Sequence, residues 1–128
     1  MSRILARENL MQLVFEYNFV KDNTDELYLE DKLTDEDKEY VLTNLSEIKN
    51  HYDEIVNIIS NNLVNYKLER VCKTDLAILV VAIYEIKYLN SPCKVVVNEA
   101  VELAKKYSNE NSFKFVNGLL AKVIESAV

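Results

Sequence analysis

A chain of 128 residues with one glycine and one proline has little material for hairpins and tight turns. The favoured hairpin turns need positive φ, which glycine supplies most readily, and proline opens many of the other turn types. With leucine, lysine, glutamate and alanine plentiful, an all-α fold is expected. At this length the simplest organisation is one domain over 1–128, able to bury a real core.

Charge narrows the range of functions. Fifteen basic against 21 acidic side chains leave a net charge of −6, which argues against indiscriminate nucleic-acid binding but leaves room for a small basic site. Cys72 and Cys93 form no metal-spaced cluster, so free thiols in a reducing compartment are expected. The N-terminus lacks a signal-peptide core, and the longest apolar run, LAILVVAIY at 76–84, is too short to span a bilayer. A soluble cytoplasmic protein without a membrane partner is the expectation.

Along the chain, Ala6, Leu10, Leu13, Val14 and Tyr17 recur at the helical period and predict an amphipathic helix over 3–20. KDNTDE (21–26) breaks the pattern as a loop. Thr34, with Asp37 three residues on, resembles a helix start. A nearly unbroken apolar stripe then runs from Val41 to Tyr66, as one long helix or two with a kink between. LERVCK (68–73) suggests a short helical turn. Thr74 and Asp75 are cap candidates for a helix over about 75–89 that is apolar almost all round, and so central and buried. Pro92 ends it. Residues 94–107 form a further helix, striped by Val97, Ala100, Val101 and Ala104. Ser112 then starts a final helix to about 126. The sum is a compact bundle of about six to seven helices.

The single glycine stands inside that last helix. On a helical wheel its core stripe is Val116, Leu119, Leu120, Val123 and Ala127, with Gly118 roughly 160° from the stripe centre. Glycine there costs about 1 kcal/mol relative to alanine. Something is therefore expected to approach the backbone closely at Gly118, whether another helix, a side chain or a ligand. The first helix has a similar oddity. Phe15 and Phe19 fall away from its stripe, Arg7, Met11 and Phe15 share a flank, and Arg3 and Arg7 are like charges in the first turns. Both the spacing and the helix dipole disfavour those arginines. Arginine beside an exposed ring suits single-stranded nucleic acid, and equally a protein contact or a solvated face.

Catalytic machinery is hard to find. His51 is the only histidine and lies in the polar stretch KNHYDE, where a solvated side chain is expected. One glycine cannot build a phosphate-binding glycine loop. Neither a catalytic centre, a metal site nor a cofactor is expected.

The segments VVVNEAVELAKKY (95–107) and SFKFVNGLL (112–120) resemble the C-terminal signature of the NusB family of bacterial transcription antitermination factors. ERVCKTDLAILVVAIYEI (69–86), with Tyr84-Glu85-Ile86 near its end, is similar to the family's preceding helix, and RILARENLMQLVFEY (3–17) to its arginine-rich first helix. The resemblance implies an all-helical fold of two sub-bundles and a non-enzymatic role. That role is binding boxA RNA together with NusE, a small-subunit ribosomal protein, and joining RNA polymerase and other Nus factors. It assigns RNA contact to Arg3, Arg7, Phe15, Asn111, Lys114 and Phe115, and a NusE-facing surface to the helix beginning near Asp75. Asn117 and Gly118 belong to the FVNG motif and are expected to let the first and last helices pack closely.

One departure weighs against strong RNA affinity. Where relatives carry consecutive arginines, this chain has Ile4 and Leu5. Every cation missing from a phosphate-binding surface weakens binding and flattens its salt dependence. The same two residues add an apolar surface suited to a homodimer. The competing expectation is a protein-interaction module that docks NusE, or a second copy of itself, with little RNA affinity.

Overall fold

A computed structural model describes residues 4–20, 33–63, 67–109 and 111–127. Six α-helices occur among them: α1 (Ile4–Val20), α2 (Asp35–Asn50), α3 (Tyr52–Asn61), α4 (Lys73–Tyr88), α5 (Cys93–Tyr107) and α6 (Ser112–Ala127), with a 3₁₀ turn at Leu68–Arg70. Arg3, the 21–26 loop and Tyr66 lie outside the described residues, as do the side chains of Ile4, Phe19 and Ala127.

The axis of the fold is α4. Every residue from Asp75 to Glu85 is buried, because α1, α2, α3, α5 and α6 all pack against this one helix. Its all-round apolar character matches that position. α1 and α2 pair with each other on α4, and α5 and α6 do the same, giving two helical groups that share a single core.

Local chemistry sets the helix ends. Thr34 Oγ1 accepts the Asp37 N–H at 3.1 Å, and three acidic residues follow at the positive end of the α2 dipole. The apolar stripe from Val41 onward is carried by two helices. They meet at His51, whose N–H closes α2 on the Glu47 and Ile48 carbonyls at 3.1 and 3.2 Å. That histidine, expected in solvent, is half-buried. Its ring stacks on Tyr88 at 4.3 Å, with Glu47 and Glu54 at 3.8 and 3.7 Å. Between α4 and α5, Asn90 takes a left-handed φ of 53°, and Pro92 caps α5. Asparagine tolerates that region better than most residues.

Two stripes differ from the sequence reading. In α5 the buried side is Val96, Ala100, Leu103 and Ala104, while Val97 and Val101 are half-buried. α5 packs against both α4 and α6, which turns its buried arc away from the single-stripe estimate. In α1, Met11 is buried with Ala6, Leu10, Leu13 and Val14, and Phe15 packs half-buried on the core. A helix covered by two neighbours, here α2 and α4, has a wider apolar arc than one stripe predicts.

Candidate nucleic-acid interface

The two arginines expected near RNA have different fates: Arg3 is outside the described residues, and Arg7 is drawn inward. Its Nε and Nη2 donate to Glu85 Oε2 and Oε1 at 2.9 and 2.8 Å, and Nη1 donates to Glu99 Oε1 at 3.1 Å. The planar fork matches the carboxylate, and the hydrogen bond to Glu85 holds the guanidinium pKa above its ordinary value. Arg7 thereby ties α1 to α4 and α5. Its neighbour Glu8 adds a second tie, accepting from Lys106 Nζ at 2.8 Å and from the Tyr107 hydroxyl at 3.0 Å.

Asp75, expected on a partner-facing surface, is instead an internal hub. It is buried, its Oδ1 accepts from Ser108 Oγ at 2.7 Å and its Oδ2 from Ser112 Oγ at 3.0 Å. The two hydroxyls also lie 2.8 Å apart. A carboxylate with both oxygens satisfied inside the fold cannot reach a partner. What it does is pin the α5–α6 connection and the start of α6, so its role is to hold the segment bearing Asn111, Lys114 and Phe115. The capping function expected of it at the start of α4 is absent, since no side chain caps that helix and Cys72 occupies the cap position.

Gly118 overturns another expectation. α4 lies between the first and last helices, α1 packing on α4 and α2, and α6 on α4 and α5. A Cβ built on Gly118 meets nothing within 4 Å, and its φ is not positive. Among the described residues no helix approaches there, and neither Gly118 nor the exposed Asn117 serves close packing of α1 and α6. A packing helix and an internal side chain are thereby excluded as the reason for the glycine.

Gly118 sits on a low saddle between two surface hollows. One, about 260 Å³, is bounded by Asn62, Leu63, Phe115 and Lys122. The other, about 480 Å³, is bounded by Val101, Glu102, Lys105 and Phe113. Lys114 and Gly118 line both. Helical spacing explains the arrangement: Lys114, Gly118 and Lys122 follow at i, i+4 and i+8 along one exposed ridge, with Asn111 and Phe115 beside it. Lys122 Nζ donates to the Asn62 carbonyl at 3.0 Å, and Lys105 Nζ stands 5.2 Å from the centre of the Phe113 ring. Asn111 is exposed, its N–H held by Asn109 Oδ1 at 3.1 Å. Asn111 stands just before α6, its carbonyl accepting the Lys114 N–H at 3.2 Å, so Asn111, Lys114 and Phe115 lie together at the start of that helix. Arg7 and Phe15 belong to the other helical group.

As members of the interface, Lys105, Lys122 and Phe113 were not expected from the sequence. The i, i+4 spacing from Lys114 through Gly118 to Lys122 was a usable signal for Lys122. Lys105 and Phe113 come together only through the pairing of α5 with α6. Among the described residues, no group of three histidine, cysteine or acidic side chains could hold a metal ion, and no helix is long and apolar enough to cross a membrane.

Fold and site define an all-helical protein built around one buried helix, with basic and aromatic side chains gathered on its last helix. The NusB family model matches residues 4–125. The transcription antitermination protein NusB of Finegoldia magna is 41% identical over 130 residues, covering 98% of this chain and 95% of that protein. T. maritima NusB superposes with a TM-score of 0.89 at 30% identity, covering 98% of this chain and 92% of the other. A structure of antitermination factors NusB and NusE in complex with dsRNA has a TM-score of 0.82 at 24% identity, a likeness of fold, covering 98% and 99%. The chain belongs to the NusB family.

Proposed function

We propose that this chain is a cytoplasmic transcription antitermination factor. It binds boxA-type RNA as a heterodimer with NusE and joins the RNA polymerase complex through other Nus factors. The observation that carries the RNA part is the Gly118 saddle. A single glycine is placed where a side chain would meet only solvent, flanked by Lys114, Lys122 and the half-buried Phe115. Lysines supply charge to phosphate, the ring offers a stacking edge, and the bare backbone lets a strand approach closely.

Within this reading Arg7 acts indirectly, by fixing α1 to α4 and α5, and direct contacts fall to Lys114, Phe115 and Asn111. With Arg7 used internally and a chain charge of −6, affinity for RNA alone is weak and NusE supplies much of the binding energy. The internal use of Arg7 and the absent consecutive arginines favour a second reading, a module that docks NusE without RNA.

The test is a titration of fluorescent boxA RNA and a scrambled RNA at near-physiological salt, with and without NusE. The proposal expects tight, sequence-selective binding in the presence of NusE, weakened by Phe115→Ala. Binding of NusE with no preference between the RNAs would overturn it in favour of the docking module.

A further inference from the structure

The seam between α5 and α6 extends beyond the saddle. A third hollow, about 440 Å³, lies farther along it, between Cys93 and Lys94 on α5 and Ile124 and Glu125 on α6. It shares Asn98 and Asn117 with the Val101–Phe113 hollow, just as that hollow shares Lys114 and Gly118 with the next. The two hollows lined by both α5 and α6 form one open groove, which meets the Asn62–Lys122 hollow at the Gly118 ridge. The two helices run antiparallel along it, and Lys94 and Lys105 mark a stretch roughly 16 Å long on α5.

Charge selects the occupant. Three lysines (94, 105 and 114) line the groove against two glutamates (102 and 125), with Lys122 just across the Gly118 ridge, in a chain whose overall charge is −6. A local excess of lysine on a negative protein complements a phosphate backbone. Midway, Asn98 and Asn117 are exposed on opposite helices, and neither carboxamide has a hydrogen-bond partner among the described residues. A carboxamide presents a donor and an acceptor side by side, the combination that matches a base edge. Single-stranded RNA, with its bases unstacked, exposes such edges to side chains.

We infer that single-stranded RNA continues past the Gly118 saddle along the α5–α6 groove, where Asn98 and Asn117 read base identity. This rests on the RNA-binding function proposed above. The lysines hold the backbone with little regard to sequence, and the two amides supply selectivity.

Asn98→Ala and Asn117→Ala, compared with Lys114→Ala, are titrated with boxA and scrambled RNA in the presence of NusE, and separately with NusE alone. Each asparagine variant is expected to lose about tenfold in affinity for boxA, with unchanged affinity for scrambled RNA and for NusE. Lys114→Ala should weaken both RNAs alike. Asn98→Ser and Asn117→Ser, with circular dichroism melts, guard against a folding artefact. If both asparagine variants bind boxA as the parent does while Lys114→Ala does not, RNA stops at the saddle and the inference falls, with RNA binding intact. If the asparagine variants lose NusE instead, the groove is a protein-docking surface and the inference is overturned. If no variant changes boxA binding, RNA lies elsewhere on the protein and the inference falls; if the parent with NusE prefers neither RNA, the RNA-binding reading fails as well.

Discussion

Arg7 and Glu85, 78 residues apart, form a two-pronged ion pair with bonds of 2.8 and 2.9 Å, and the carboxylate is almost wholly buried. Removing one partner of such a pair leaves the other charge desolvated, at a cost of about 3 kcal/mol or more. Glu85→Ala should therefore lower stability by about 3 kcal/mol in urea unfolding. The double variant Arg7→Met, Glu85→Leu should recover most of that loss, since no buried charge is left unpaired and Glu99, which also loses Arg7, reaches water. If the double variant is no more stable than Glu85→Ala, the pair does not act through uncompensated charge.

Asp75 binds two serine hydroxyls inside the fold. Asp75→Ala removes the acceptor of both hydroxyls, which can then bond only to each other, and leaving one buried donor unsatisfied costs about 1–3 kcal/mol. We expect a loss of about 2–3 kcal/mol in stability, with increased hydrogen exchange at the start of α6. Ser108→Ala should cost less, because Ser112 continues to satisfy the carboxylate. Equal losses for the two variants would contradict the hub arrangement.

Gly118 separates stability from binding. Its backbone is free of positive φ and an added Cβ meets open space. Gly118→Ala should stabilise the protein by about 1 kcal/mol through helix propensity. If RNA crosses the saddle, the same methyl should weaken RNA binding. Thermal melts and the RNA titration, run on one preparation, read both effects. A stabilised variant with undiminished RNA affinity would place the strand elsewhere.

Salt dependence counts the phosphate contacts. For single-stranded nucleic acid each contact contributes about 0.7 to the slope of log K against log salt. Lys114→Ala, removing an exposed lysine that lines two hollows, should reduce that slope by about 0.7. A change in affinity with an unchanged slope would assign Lys114 a role other than phosphate contact.

Tyr52 predicts behaviour at alkaline pH. Burial raises its pKa to about 12, against an ordinary value of about 10. Above pH ~10 the unfolded chain loses this proton while the folded chain keeps it, so the unfolded state binds fewer protons and stability falls with rising pH. The contribution is fully present below pH ~10 and is lost as pH rises toward ~12, on the order of 2 kcal/mol. Tyr52→Phe also gives up the hydrogen bond to Asn18. Its stability should be lower at neutral pH but decline less steeply between about pH 10 and 12. Parallel slopes for variant and parent would exclude Tyr52 as the titrating group.

The helices were readable because their signals are local. Thr34 and Asp37 make the expected contact, Pro92 stands where α5 is capped, and the all-apolar run after Asp75 becomes the central helix. Side-chain direction was legible for α6, whose residues Val116, Leu119, Leu120 and Val123 are buried as read, but only in part for α1 and α5. α1 and α5 each pack against two neighbours, so Met11, Phe15 and Val96 lie deeper than a single stripe predicts. The position of the break in the stripe after Val41 was not legible either, because His51 is held by Tyr88 from a distant helix.

By itself the sequence determined that the chain is helical, where most helices begin and end, and which family it resembles, since propensity, capping and motif spacing act over a few residues. Only the tertiary structure decided the partners of the charged and polar groups. Arg7 reaches Glu85, Asp75 reaches Ser108 and Ser112, and Gly118 faces solvent rather than α1. The physical reason is that desolvation and ion pairing depend on which helices meet in space, and separations of 33 to 78 residues leave no periodic trace in the chain.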